Sequence, residues 1–149
     1  MYPGNLTVLL IKPEGMKDLG AIKRRIPQAG LKIIQEKDVF WISTALSEDT
    51  LRRLYPDASD SFIEAAVQHF RGHATRVLML SGENAINKMF LMVGNSEDPW
   101  KCRSYTIRAG YRRMKPVEIE GGIYYKNGVY CPSNVEAMLR ALQVLFVES

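Results

Sequence analysis

The run LTVLLI, residues 6–11, constrains the fold more than any other feature of this chain. A short apolar stretch closed by a proline reads as a strand buried inside a sheet. It ends at Lys12-Pro13, because Pro13 has no N–H to give to a ladder. Two further stretches, LKIIQEKDVFWI (residues 31–42) and TRVLML (residues 75–80), are β-rich and read as strands beside it.

Helical signals fall between these runs. A short helix is expected over residues 19–29, with Ile22 and Ile26 on one face, Pro27 weakening it and Gly30 stopping it. Ser47 is placed to cap a helix over residues 48–55. Ser61-x-x-Glu64 has capping-box spacing for another, with Phe62, Ala66, Val67 and Phe70 at helical intervals. ENAINKMFLMV (residues 83–93) is amphipathic through Ala85, Ile86, Met89, Phe90 and Val93.

Residues 94–116 read as irregular. VEIEGGIYYKNGVY (residues 117–130) alternates around Gly121-Gly122 and again around Asn127-Gly128, both hairpin-turn dipeptides. The last helix starts at a cap, Ser133 or Asn134, with Glu136 where a capping box wants its acid. Its buried stripe is expected at Val135, Met138, Leu139, Leu142 and Phe146. The sum is an α+β sandwich, one domain over residues 1–149, with helices on one face of a mixed or antiparallel sheet.

Composition removes several classes of function. There is no apolar run long enough to span a bilayer and no signal-peptide pattern at the start, so a cytoplasmic or intracellular protein is expected, away from membranes. Cys102 and Cys131 suit neither a disulfide framework nor a metal spacing, and His69 and His73 lack the neighbours a metal site needs. No metal site is therefore expected. The net charge of +4 is mild, and no strand carries the paired aromatics of a ribonucleoprotein motif, so nucleic acid is not an expected partner.

Four motifs in order, LIKPEG (residues 10–15), LSGENAI (residues 80–86), TIR (residues 106–108) and Asn127 followed by Val135-Glu136, resemble the nucleoside diphosphate kinases. The resemblance runs from Leu6 to Phe146. It implies a ferredoxin-like βαββαβ core, with the residue 117–125 hairpin as an addition that covers the cleft or extends the sheet. It also implies a site for Mg-bound ATP or ADP, or another nucleoside di- or triphosphate, and assembly into a homo-oligomer from dimer to hexamer, or with a protein partner.

Carried over one residue at a time, the resemblance makes Lys12, Tyr55, Ser96, Arg108 and Asn127 candidate nucleotide-binding residues. Phe62, or Ile63 beside it, would stack on the base. Phe90 falls on a second arginine position. Tyr130 falls on that of the phosphate-carrying histidine, with Cys131, Pro132 and Ser133 after it in place of glycine, serine and aspartate.

The exchange is chemically severe. Histidine has an ordinary pKa near 6.5 and offers a neutral nitrogen nucleophile, whereas tyrosine sits near 10, so about one phenol in a thousand is ionised at pH 7. An aryl phosphate, once formed, is also lower in energy than a phosphorus–nitrogen bond and would trap a relay enzyme. The sequence therefore points to a catalytically degenerate binding or assembly module with no catalytic residue. The alternative is an active nucleoside diphosphate kinase of atypical chemistry.

Overall fold

The computed structural model describes residues 2–148. Its strands are β1 (Leu6–Ile11), β2 (Lys32–Phe40), β3 (Ala74–Ser81), β4 (Val117–Ile119), β5 (Gly122–Tyr124) and β6 (Val129–Tyr130). Its α-helices are α1 (Leu19–Arg25), α2 (Thr44–Leu54), α3 (Asp60–Phe70), α4 (Ala85–Val93) and α5 (Val135–Leu142). Four strands form one antiparallel sheet in the order β2-β3-β1-β6, and β4 and β5 pair separately as a hairpin.

β1 lies inside the sheet, and its alternate residues enter different cores. Val8 and Leu10 pack with α2, α3 and α5, while Leu9 and Ile11 pack with α1, α4, Ile107 and Tyr111. Their cross-strand partners keep the same sides, Val77 opposite Leu10 and Leu78 opposite Leu9. Helices thus cover both faces of the sheet, not one as expected. That double burial is why LTVLLI shows no polar alternation.

Several boundaries differ from the sequence reading for local reasons. Ser43, in extended conformation, caps α2 by accepting from Leu46 N–H, so the helix starts before Ser47, which is buried within it. Ser59 caps α3 in the same way through Phe62 N–H at 3.1 Å, displacing the Ser61 cap. α1 ends at Arg25, because Pro27 opens a 3-10 turn that Gly30 closes at φ +76°. Asn134, not Ser133, caps α5 by accepting from Ala137 N–H at 2.8 Å, which moves Glu136 off the capping-box position.

The stripe on α5 also rotates. Met138 is buried and Leu142 and Phe146 pack against the core as expected, but Val135 and Leu139 are exposed, and Ala141 and, in the π-helical turn after α5, Val144 and Leu145 are buried instead. Asn127-Gly128 is not a hairpin turn, since β5 and β6 belong to different sheets. The β4–β5 turn itself falls at Glu120-Gly121, both at positive φ, one residue earlier than expected. Gly122 is drawn into the strand because the hairpin packs on α3 so closely that a Cβ there would lie 2.4 Å from the Ser61 backbone.

Candidate functional site

One end of the sheet gathers the C-terminal end of β1, β6, the end of α2, the start of α5 and the irregular chain around residue 96. Lys12 leaves β1 with its N–H donating to Gly128 O at 2.9 Å. Its side chain is fully buried, an expensive place for an ammonium unless partners surround it. Asn127 Oδ1 accepts from Nζ at 2.8 Å, and the Tyr124 ring lies 4.8 Å from it. Burial pulls the Lys12 pKa below its ordinary value, with Glu97 and Glu14 working against that fall.

Arg108 is buried beside it. Its Nη1 donates to Gly94 O and Ser96 O, at 3.3 and 3.0 Å, and Nη2 donates to Val129 O at 3.2 Å. Most of this guanidinium is thus committed to backbone carbonyls that tie residues 94–96 to β6. Glu97 completes the group. Its Oε2 accepts from Asn127 Nδ2 at 2.8 Å and lies 3.8 Å from Arg108 Nη2 and 4.0 Å from Lys12 Nζ. Burial works to raise the Glu97 pKa, but Lys12, Arg108 and the Asn127 amide outweigh it and hold the carboxyl below its usual range.

A second carboxylate sits deeper. Glu14 Oε1 accepts from His69 Nε2 at 2.8 Å, and Oε2 accepts from Gly128 N–H at 2.9 Å. Burial would raise its pKa, but His69, Lys12 and the Gly128 amide together lower it below the ordinary glutamate value of 4.5. A group lowered on folding stabilises the protein above its unfolded pKa, and that contribution is lost as pH falls through the folded value. Glu14→Gln is therefore expected to unfold at lower denaturant than wild type at pH 7, by about 1.5–3 kcal/mol for a charge-assisted bond. It should also lose less stability than wild type between pH 5 and about pH 2, as read by denaturant titrations across that range.

In front of these residues opens a cleft of about 400 Å³, lined by Tyr55, Phe90, Glu97, Arg108, Tyr130, Cys131, Ser133, Asn134 and Arg140 among others. Tyr130 is only 7% exposed, its ring edge-on to Tyr55 at 5.4 Å. Burial raises the pKa of its phenol well above the ordinary value, and burial pushes the Cys131 thiol up to about 12. Neither offers an easily ionised nucleophile.

The residues expected from sequence therefore divide. Tyr55, Arg108 and Tyr130 line the cleft, while Lys12 and Asn127 are buried behind it. Ser96 is drawn elsewhere, its hydroxyl accepting from Asp98 N–H and its carbonyl from Arg108. Phe62 lies between the rings of Tyr55 and Tyr124, against the core and outside the cleft lining. The added hairpin neither covers the cleft nor extends the sheet; it lies on α3.

Sequence reasoning missed Glu97, the Glu14–His69 pair and Arg140. Two buried cations demand an anion beside them, a signal present once Lys12 and Arg108 are placed together, but nothing in SEDPW says that Glu97 answers it. Among the described residues, no group of three or more His, Cys, Asp and Glu side chains is placed to hold a metal ion, and no helix is long and apolar enough to cross a membrane.

The order β2-β3-β1-β6, with helices joining β1 to β2 and β3 to β6, defines a ferredoxin-like α+β domain. The family profile described as nucleoside diphosphate kinase matches residues 5–149, and the chain belongs to that family. Two solved structures share the fold. One is a nucleoside-diphosphate kinase from Borrelia burgdorferi with bound vanadate and ADP (TM-score 0.78, 18% identity, 95% of this chain and 86% of that one). The other is a nucleoside diphosphate kinase from Encephalitozoon cuniculi in an apo form (TM-score 0.74, 20% identity, 95% and 88%). A thioredoxin domain-containing protein 3 homolog from Ciona intestinalis is 22% identical over 143 residues, 94% of this chain. The chain spans about one fifth of the length of that curated relative, 20%.

Proposed function

We propose that this chain is a catalytically degenerate nucleoside diphosphate kinase-like protein, a binding or assembly module with weak affinity for nucleoside di- or triphosphates. The observation that carries this reading is the burial of the residue that the resemblance assigns to the position of the phosphate-carrying histidine. That residue is Tyr130, a buried phenol whose pKa rises rather than falls. Activation of such a group needs a base or a lowered pKa. A carboxylate in the cleft wall, Glu97, is committed to Asn127, Arg108 and Lys12.

The residues do not fit a bound magnesium triphosphate well. Phe90 supplies no charge at the second arginine position, and Lys12 and Arg108 already have partners. The assembly half of the proposal is supported at the sheet edge. β2 is an edge strand, and Phe40, Ile42 and Leu46 at and beyond its end are exposed, a surface that pairing with another copy or a protein partner would cover.

Purified protein incubated with labelled ATP and Mg²⁺, then with GDP, is expected to give no acid-labile phosphoenzyme and no labelled GTP. Titration calorimetry on the same sample should find ADP binding weak. Labelled GTP at turnover rates would overturn the proposal in favour of an active kinase.

A further inference from the structure

We infer that Glu97 sets the charge class of ligand this cleft accepts. Its carboxylate holds the inner anion position, and a phosphate-bearing ligand has to displace it. The inference rests on reading the cleft as a nucleotide site, and it names the residue that limits binding there.

Three observations converge. Glu97 Oε2 lies within 4.0 Å of the fully buried Lys12 ammonium and 3.8 Å of the buried Arg108 guanidinium, so one oxygen faces both cations nearest the inner end of the cleft. The same oxygen accepts from Asn127 Nδ2 at 2.8 Å, while Asn127 Oδ1 is turned to Lys12. Lys12, Asn127 and Arg108 thus present donors and cations to one anionic acceptor, the Glu97 carboxylate, the arrangement a phosphate oxygen would otherwise complete. Finally, the Glu97 side chain is 41% exposed and lines the cleft, whereas Lys12 is sealed behind it. The carboxylate stands between solvent and the ammonium, and it can leave without breaking the core.

A ligand phosphate entering here meets a negative charge already within ion-pair distance, 3.8–4.0 Å, of the two cations it needs. A neutral nucleoside does not. The cleft therefore discriminates against di- and triphosphates by like-charge repulsion and by competition for the same donors. Among the described residues, Arg108 Nε and the Tyr55 hydroxyl are buried without a hydrogen-bond partner, and both residues line the same cleft.

Glu97→Gln tests this, since the amide oxygen keeps the contact with Asn127 and removes the charge. Calorimetry with ADP, inorganic pyrophosphate and adenosine is expected to show ADP and pyrophosphate binding at least about tenfold tighter than in wild type, with adenosine unchanged; tenfold corresponds to about 1.4 kcal/mol. Pyrophosphate should also raise the melting temperature of the variant more than that of wild type. Equal affinities of the two proteins for pyrophosphate and ADP overturn the inference, as does an equal gain for adenosine. Should Glu97→Gln fail to fold, Glu97→Asp takes its place: its charge stops one methylene short of Lys12, and a smaller gain for pyrophosphate is expected, with no gain counting against the inference. Phosphoryl exchange is measured on the same samples. Exchange by wild type would end the degenerate reading, whereas an absent gain in affinity would end this inference alone.

Discussion

Replacing Gly15 with alanine is expected to destabilise the protein by about 3 kcal/mol, among the largest effects of any single methyl group added to this chain. A Cβ at residue 15 would stand 2.2 Å from Gly128 O and 3.0 Å from Gly128 C. Both atoms are backbone, so no side chain can turn away. Relief requires separating the KPEG segment from the chain entering β6. That separation breaks the Lys12 N–H bond to Gly128 O and disturbs the Glu14 bond to Gly128 N–H. The contact is a tight crossing of the 3-10 helix Pro13–Asp18 with the chain entering β6, and the glycine at 128 (φ +90°) faces the Tyr111 ring.

Gly72→Ala is the control. Its φ is +85° with open space around the position, so it bears the left-handed strain of about 1–2 kcal/mol and no clash. Urea unfolding of the three proteins should rank wild type above Gly72→Ala and Gly72→Ala above Gly15→Ala. Equal midpoints for the two variants would mean that the crossing of residues 15 and 128 is loose in solution.

That crossing bears on what the sequence discloses. The framework is legible because its signals are local: apolar runs of strand length, a proline closing β1, and amphipathic spacing in α4. The α2 and α3 caps are not legible because several serines compete within a few residues, and only backbone conformation decides between Ser43 and Ser47, or Ser59 and Ser61. The family motifs bring Lys12, Arg108 and Asn127 into one group, yet they do not say whether those side chains face a ligand or each other. Lys12 and Asn127 are buried because the Tyr124 ring flanks the ammonium and Glu97 closes over the pair from the cleft side, and both of these partners come from segments with no motif of their own. Phe62 was expected at a base and lies among Tyr55 and Tyr124 because the hairpin brings Tyr124 onto α3, a contact between residues far apart in sequence. Charge balance inside the core is a tertiary quantity, which is why the site was half visible.

Lys12→Met is expected to cost about 3–5 kcal/mol, the range for removing one member of a buried charged group, even though methionine nearly fills the same volume. The loss falls unevenly on the two acids that face Lys12. Glu97 reaches solvent and regains water when the ammonium is gone. Glu14 is 7% exposed and keeps only His69 and the Gly128 amide. The second substitution should therefore rescue in proportion to burial. Lys12→Met with Glu14→Gln is expected to recover more stability than Lys12→Met with Glu97→Gln, and each double variant should lose less stability than the sum of its two single losses. A ligand-binding lysine with no structural duty would give a different pattern: Lys12→Met would leave the denaturation midpoint of the free protein unchanged and alter only nucleotide titrations. The burial of Lys12 beside Asn127, Glu97 and the Tyr124 ring favours the first outcome, because an ammonium at 0% exposure is held by the fold before any ligand arrives.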